Sequence, residues 1–203
     1  MSCFFCFGCS ENKRLDRIAL LQSFGQCTLE RYRQTQNAAD ALVTATESFA
    51  ALPSDTTLAT ARTAFTKTID AWQVAELLRY GPAADFLTLG GKALRESIYS
   101  FPDVNRCLLE TQLVGKTYEG AAFAATAVST RGLAALEYLL FYSGIENACG
   151  PMAEINRSGS WSALTSDELL RRKAAYARVV AADVAHKTRE LTAAWEPGGF
   201  LAQ

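Results

Sequence analysis

RGLAALEYLLF, residues 131–141, is apolar almost throughout, yet it carries Glu137 at its centre. At helical spacing Leu133, Glu137, Leu140 and Phe141 fall on one stripe, so the stretch predicts a helix with a carboxylate on its inner face. A carboxylate on an apolar face is costly unless it is ion-paired, protonated or bound to a metal.

The same pattern extends in both directions. Residues 12–51 predict a long helix. Ile18, Leu21, Tyr32, Ala39, Leu42 and Phe49 form its buried line, Gly25 is a candidate kink and Pro53 ends it. Residues 56–80 predict a second helix, opened by Ser54 or Asp55 and stopped by Gly81-Pro82. Its line of Leu58, Ala61, Phe65, Ile69 and Trp72 continues to Glu76 and Tyr80, which makes Glu76 a second inward carboxylate. Residues 83–115 are less regular, with one or two short helices. A third long helical region is expected over 117–143, with a break near Ser129-Thr130. A Gly/Ser/Asn-rich connection covers 144–164. The last helix opens with Thr165 and Glu168 as a capping box. It buries Leu169, Tyr176, Val180, Val184, Leu191 and Trp195. No segment alternates with period two. The fold class predicted is all-α, an up-and-down helical bundle of four long helices.

The chain has 203 residues, 49% hydrophobic and 20% charged, with a net charge of −1. It can bury roughly 70% of the surface its unfolded form exposes. No basic field is present to attract nucleic acid. The one histidine, His186, excludes any site with two histidine ligands within the chain. It sits beside Lys187 and Arg189, on what reads as a solvated face. Trp72, Trp161 and Trp195 read as packing residues. GGKALRE, residues 90–96, has no strand before it and is not read as a phosphate loop.

Of six cysteines, Cys3, Cys6 and Cys9 crowd the N-terminus. Their spacing approaches a zinc knuckle but lacks a second ligand pair. CFGCS fits a bacterial lipobox loosely, with Cys9 the lipidated residue, although the apolar run before it is short for a signal. Residues 1–11 are thus read as a signal or lipobox remnant and 12–203 as one helical domain. The final GGFLAQ reads as a chain continuing in mid-course. Cys107 and Cys149 flank the third helical region and are candidates for a disulfide, with Cys27 the competing partner. Glu76 and Glu137 are the candidate metal ligands. The competing reading pairs them with arginines, for which Arg79 and Arg131 are the candidates.

Two motifs in order, AWQVAELLRYGPA at 71–83 and GLAALEYLLF at 132–141, resemble the imelysin family, also called M75 or insulin-cleaving metalloproteases. The resemblance runs from LDRIALL, residues 15–21, onward. It implies an all-helical fold of two bundle-like halves, of which this chain would be the first and the start of the second. It also implies a bacterial cell-envelope protein, periplasmic or lipid-anchored, with relatives linked to iron acquisition. The family hallmark is G-x-H-x-x-E on a helix. Gly132 matches the glycine and Glu137 the glutamate, while Ala134 stands at the histidine. With that ligand gone, a divalent ion would bind weakly, and only if Glu76 or another carboxylate converged on Glu137. The expected function is a non-catalytic binding protein tied to metal or iron uptake, with an envelope protein as a candidate partner. A metal-dependent peptidase and a purely structural or interaction bundle are the alternatives.

Overall fold

The computed structural model describes residues 17–100, 102 and 104–199. The readings of Cys3, Cys6, Cys9 and the terminal GGFLAQ fall outside these residues wholly or in part. Among the described residues every regular element is helical.

Helix α1, Arg17–Ala51, runs without interruption through Gly25 and buries Thr28, Tyr32, Thr35, Ala39, Leu42 and Phe49. Ile18 and Leu21, expected on the same buried line, are exposed. Helix α2, Asp55–Ala75, opens with a capping box. Ser54 Oγ accepts from the Thr57 N–H, and Thr57 Oγ1 accepts from the Ser54 N–H. Its α-helical part ends before the expected limit. Residues Glu76–Leu78 tighten into a 3₁₀ turn, so Glu76 and Tyr80 leave the inner line of Phe65 and Trp72. Tyr32 Oη, donating to the Leu78 carbonyl at 2.5 Å, holds this turn against α1.

Short helices α3, Leu94–Ile98, and α4, Arg106–Gly115, follow. The long helix expected over 117–143 is broken further than anticipated. Lys116 ends α4 in the left-handed conformation, and two 3₁₀ segments, Gly120–Ala125 and Val128–Thr130, occupy the stretch before α5, Gly132–Phe141. Gly120 and Gly132 both have positive φ, which explains why no continuous helix forms there. After the one-turn helix α6, Glu154–Arg157, α7 spans Ser166–Trp195. Thr165 Oγ1 accepts from the Glu168 N–H, but the Glu168 carboxylate turns to Arg171 and Arg172, so the expected capping box is half formed. All six residues predicted for its inner line are buried.

Helices α1, α2, α5 and α7 build the bundle. The pairs Arg33–Glu196 and Asp40–Arg189 show α1 and α7 antiparallel, and Arg131–Asp183 with Tyr142–Lys173 show the same for α5 and α7. The core centres on Trp72, Tyr32, Phe49, Leu136 and Tyr176. No described helix is long and apolar enough to cross a membrane.

Candidate functional site

Helix α5 carries the motif, and its packing fixes what each motif residue does. Gly132 has φ +70°, and a Cβ there would lie 2.8 Å from the Ile98 carbonyl oxygen and 3.1 Å from that of Ser97. The glycine therefore lets the start of α5 press against the end of α3. Ala134 is buried. Glu137 is exposed, which corrects the expectation that it faces the core. Leu133, Leu136, Tyr138, Leu139 and Leu140 are all buried, so α5 is enclosed on most sides. Its narrow open line runs through Glu137 to Phe141, one turn further on. In a helix apolar almost all round, the single charged residue marks the outside.

Ala134 and Glu137 line one side of an open hollow of about 430 Å³, completed by Pro102, Val104, Arg106, Tyr138, Phe141 and Tyr142. Glu76, the other proposed ligand, is held by Arg95 at 2.7 Å. Arg79 and Arg131, considered as partners for the two carboxylates, do not fill that role; Arg131 pairs with Asp183 at 3.7 Å. Glu76 and Glu137 do share a neighbourhood. The Tyr99 phenol is raised above its ordinary pKa, first by burial and then by the fields of Glu137 and Glu76. Yet among the described residues no three His, Cys, Asp or Glu side chains gather where they could hold a metal ion. The hollow beside Glu137 instead contains the Arg106 guanidinium, whose charge opposes a cation there. A guanidinium is no metal ligand, and the Tyr138 and Tyr142 hydroxyls that line the hollow donate to Glu110 and to the Glu146 carbonyl, so the one carboxylate left does not fit zinc, which takes three or four protein ligands. His186, on α7, is exposed, as its charged neighbours suggest.

The interior behind this hollow holds a polar cluster that the sequence reading missed. Glu110 on α4 is fully buried. Its Oε1 accepts from Tyr138 Oη at 2.8 Å, and its Oε2 accepts from the Ala148 N–H at 2.6 Å. Arg106, one turn earlier, comes within 3.6 Å of the same carboxylate. Lys173 on α7 is 5% exposed, and its Nζ donates to the Tyr142 carbonyl at 2.7 Å. The stacked rings of Tyr138 and Tyr142 receive both cations. Arg106 lies 4.4 Å and Lys173 5.0 Å from the Tyr142 centroid. Burial lowers Lys173 to a pKa of about 8, against the attraction of Glu110. Burial and the Glu110 hydrogen bond push Tyr138 above the usual phenol range. The signal was present in the sequence. Glu110 interrupts the apolar run of α4, and Lys173 lies four residues after Leu169, on the inner line of α7.

A disulfide between Cys107 and Cys149 ties the 144–153 connection to α4 beside this cluster, and Cys27 is an exposed free thiol. The disulfide and the Glu110–Ala148 bond together fix one wall of the cluster.

No curated protein and no solved structure matches the chain significantly. The family model described as imelysin, peptidase M75, matches residues 28–203, which include α2, the Gly132–Glu137 motif and α7. With that match across most of its length, the chain belongs to the imelysin family.

Proposed function

We propose that this imelysin is a non-catalytic binding protein of the bacterial cell envelope, serving metal or iron uptake through a bound ligand or partner rather than through a metal centre of its own. The observation that carries the reading is the composition of the motif hollow. Ala134 replaces the histidine, Glu137 faces outward, and Arg106 supplies positive charge where a metal would need a ligand. A metallopeptidase requires a metal-activated water and a base beside it; the donor set around Glu137 supplies neither. An envelope location is supported by the Cys107–Cys149 disulfide, since such bonds persist in oxidising compartments. The tie to iron uptake rests on the family resemblance.

The test is proteolysis of an unfolded protein substrate by the oxidised chain, purified without chelator and supplied with zinc or ferrous ion. No metal-dependent cleavage is expected. Cleavage that requires the metal and is lost in Glu137→Gln would overturn the proposal in favour of a peptidase.

A second reading, an interaction bundle, draws on apolar side chains left in solvent. Leu77, Phe86, Leu87 and Leu89 are each at least 76% exposed, more than isolated surface residues require.

A further inference from the structure

On the side of α5 away from the motif hollow, a smaller cavity of about 250 Å³ lies between α2, α5 and the start of α7. Lys173 and Arg62 line it together with Leu58, Leu140 and Tyr142. From this arrangement we propose that Lys173 is a reactive amine that captures a small 2-oxo acid or aldehyde acid as an imine, with Arg62 receiving the carboxylate.

The geometry carries the idea in three parts. Lys173 is buried, yet its one described hydrogen bond goes to a neutral backbone carbonyl, not to a carboxylate. A lysine placed so is not locked into an ion pair, and the neutral amine keeps its lone pair available when one N–H is donated to the Tyr142 oxygen. Arg62 is fixed from behind. Its Nε donates to the Leu140 carbonyl at 2.7 Å, and its guanidinium lies over the Phe141 ring at 5.3 Å. No described hydrogen bond occupies its two terminal nitrogens, which form the pair of donors that suits a carboxylate. The remaining lining is largely apolar, and the volume suits a molecule of a few carbon atoms rather than a peptide.

The charged and titratable groups around the amine are Glu110 and Arg106 from α4, Tyr138 and Tyr142 from the α5 side, Arg62 from α2 and Asp167 from the first turn of α7. Desolvation outweighs them and lowers Lys173 toward neutral pH, which increases the unprotonated fraction near pH 7.5 about two-hundredfold over an ordinary lysine. The chemistry balances without a further reagent. The amine attacks the carbonyl carbon, a C–N bond forms, and the carbonyl oxygen leaves as water with the two amine protons, giving the imine.

The experiment treats the intact, oxidised protein with glyoxylate and cyanoborohydride at pH 7.5 and maps carboxymethylated lysines by peptide mass spectrometry. Lys173 is expected to be labelled at least tenfold faster than Lys67, Lys92 and Lys116, which are exposed. Arg62→Ala should slow labelling of Lys173 by glyoxylate severalfold and leave its labelling by acetaldehyde, which has no carboxylate, unchanged. Lys173→Arg, checked for helical content, should remove the fast phase and leave the rest. Labelling of Lys173 no faster than that of the exposed lysines, or only after unfolding in urea, would overturn the proposal. Equal effects of Arg62→Ala on glyoxylate and acetaldehyde would overturn the role given to Arg62.

Discussion

Gly132 shows how a motif residue can be required by the backbone alone. Its φ of +70° and the 2.8 Å approach of the Ile98 carbonyl to a virtual Cβ combine two penalties. Gly132→Ala is expected to cost about 2–4 kcal/mol, read from the urea midpoint at unchanged slope. Glu110 makes the complementary case. Its carboxylate is fully buried and accepts from Tyr138 and Ala148. Glu110→Ala would strand both donors and remove a counter-charge from Arg106 and Lys173, costing about 2–4 kcal/mol. Lys173 gives a pH signature. Its folded pKa lies below its unfolded one, so the folded state binds fewer protons between about pH 8 and the ordinary lysine range. Stability should therefore rise with pH across that window and be lowest, on this account, below pH 8. Above about pH 10 the tyrosines act in the opposite sense, because burial raises Tyr138 and Tyr176. In Lys173→Met the rise between pH 8 and 10 should flatten, as thermal melts across that range would show.

At the scale of elements, legibility followed regularity. The capped starts of α2 and α7 and the buried line of α7 were readable because the 3.6-residue period repeats over many turns. In the third region the sequence marks a break near Ser129-Thr130, which the Val128–Thr130 3₁₀ segment matches, but not the loss of helix over the residues before it. The region's composition is helix-compatible, and what breaks it is positive φ at Lys116, Gly120 and Gly132, with a close tertiary approach, by the Ile98 carbonyl, at Gly132. Glu137 was misplaced for a related reason. A stripe argument assumes one buried face, whereas α5 is enclosed on most sides and leaves its lone charge outside. Local pattern marks Glu110 and Lys173 singly as inward charges but not that they share a cluster, because that cluster joins α4 to α7 across more than sixty positions. The disulfide ties α4 to the 144–153 connection. It closes a loop across a separation of 42 residues, so the Cys107→Ala, Cys149→Ala double variant should lose about 2–4 kcal/mol relative to the oxidised protein. A loss under 1 kcal/mol in denaturant titration would mean that the connection is held by Glu110 and packing alone.

At the scale of the whole molecule, the bundle has a solid apolar core, and the two buried charges among the described residues, Glu110 and Lys173, gather near the C-terminal end of α5. The exposed pairs that staple α1 to α7, Arg33–Glu196 and Asp40–Arg189, contribute little beside that core, about 0–1 kcal/mol each. The proposed function turns on what lines the motif hollow: the outward Glu137, the Arg106 guanidinium from α4 and a buried alanine where the family hallmark has a histidine. Calorimetric titration of zinc and ferrous ion into chelator-free wild type, Glu137→Gln and Ala134→His tests this directly. The account predicts no stoichiometric binding by the wild type and only a weak gain in Ala134→His. Saturable one-to-one binding by the wild type that Glu137→Gln abolishes would contradict it.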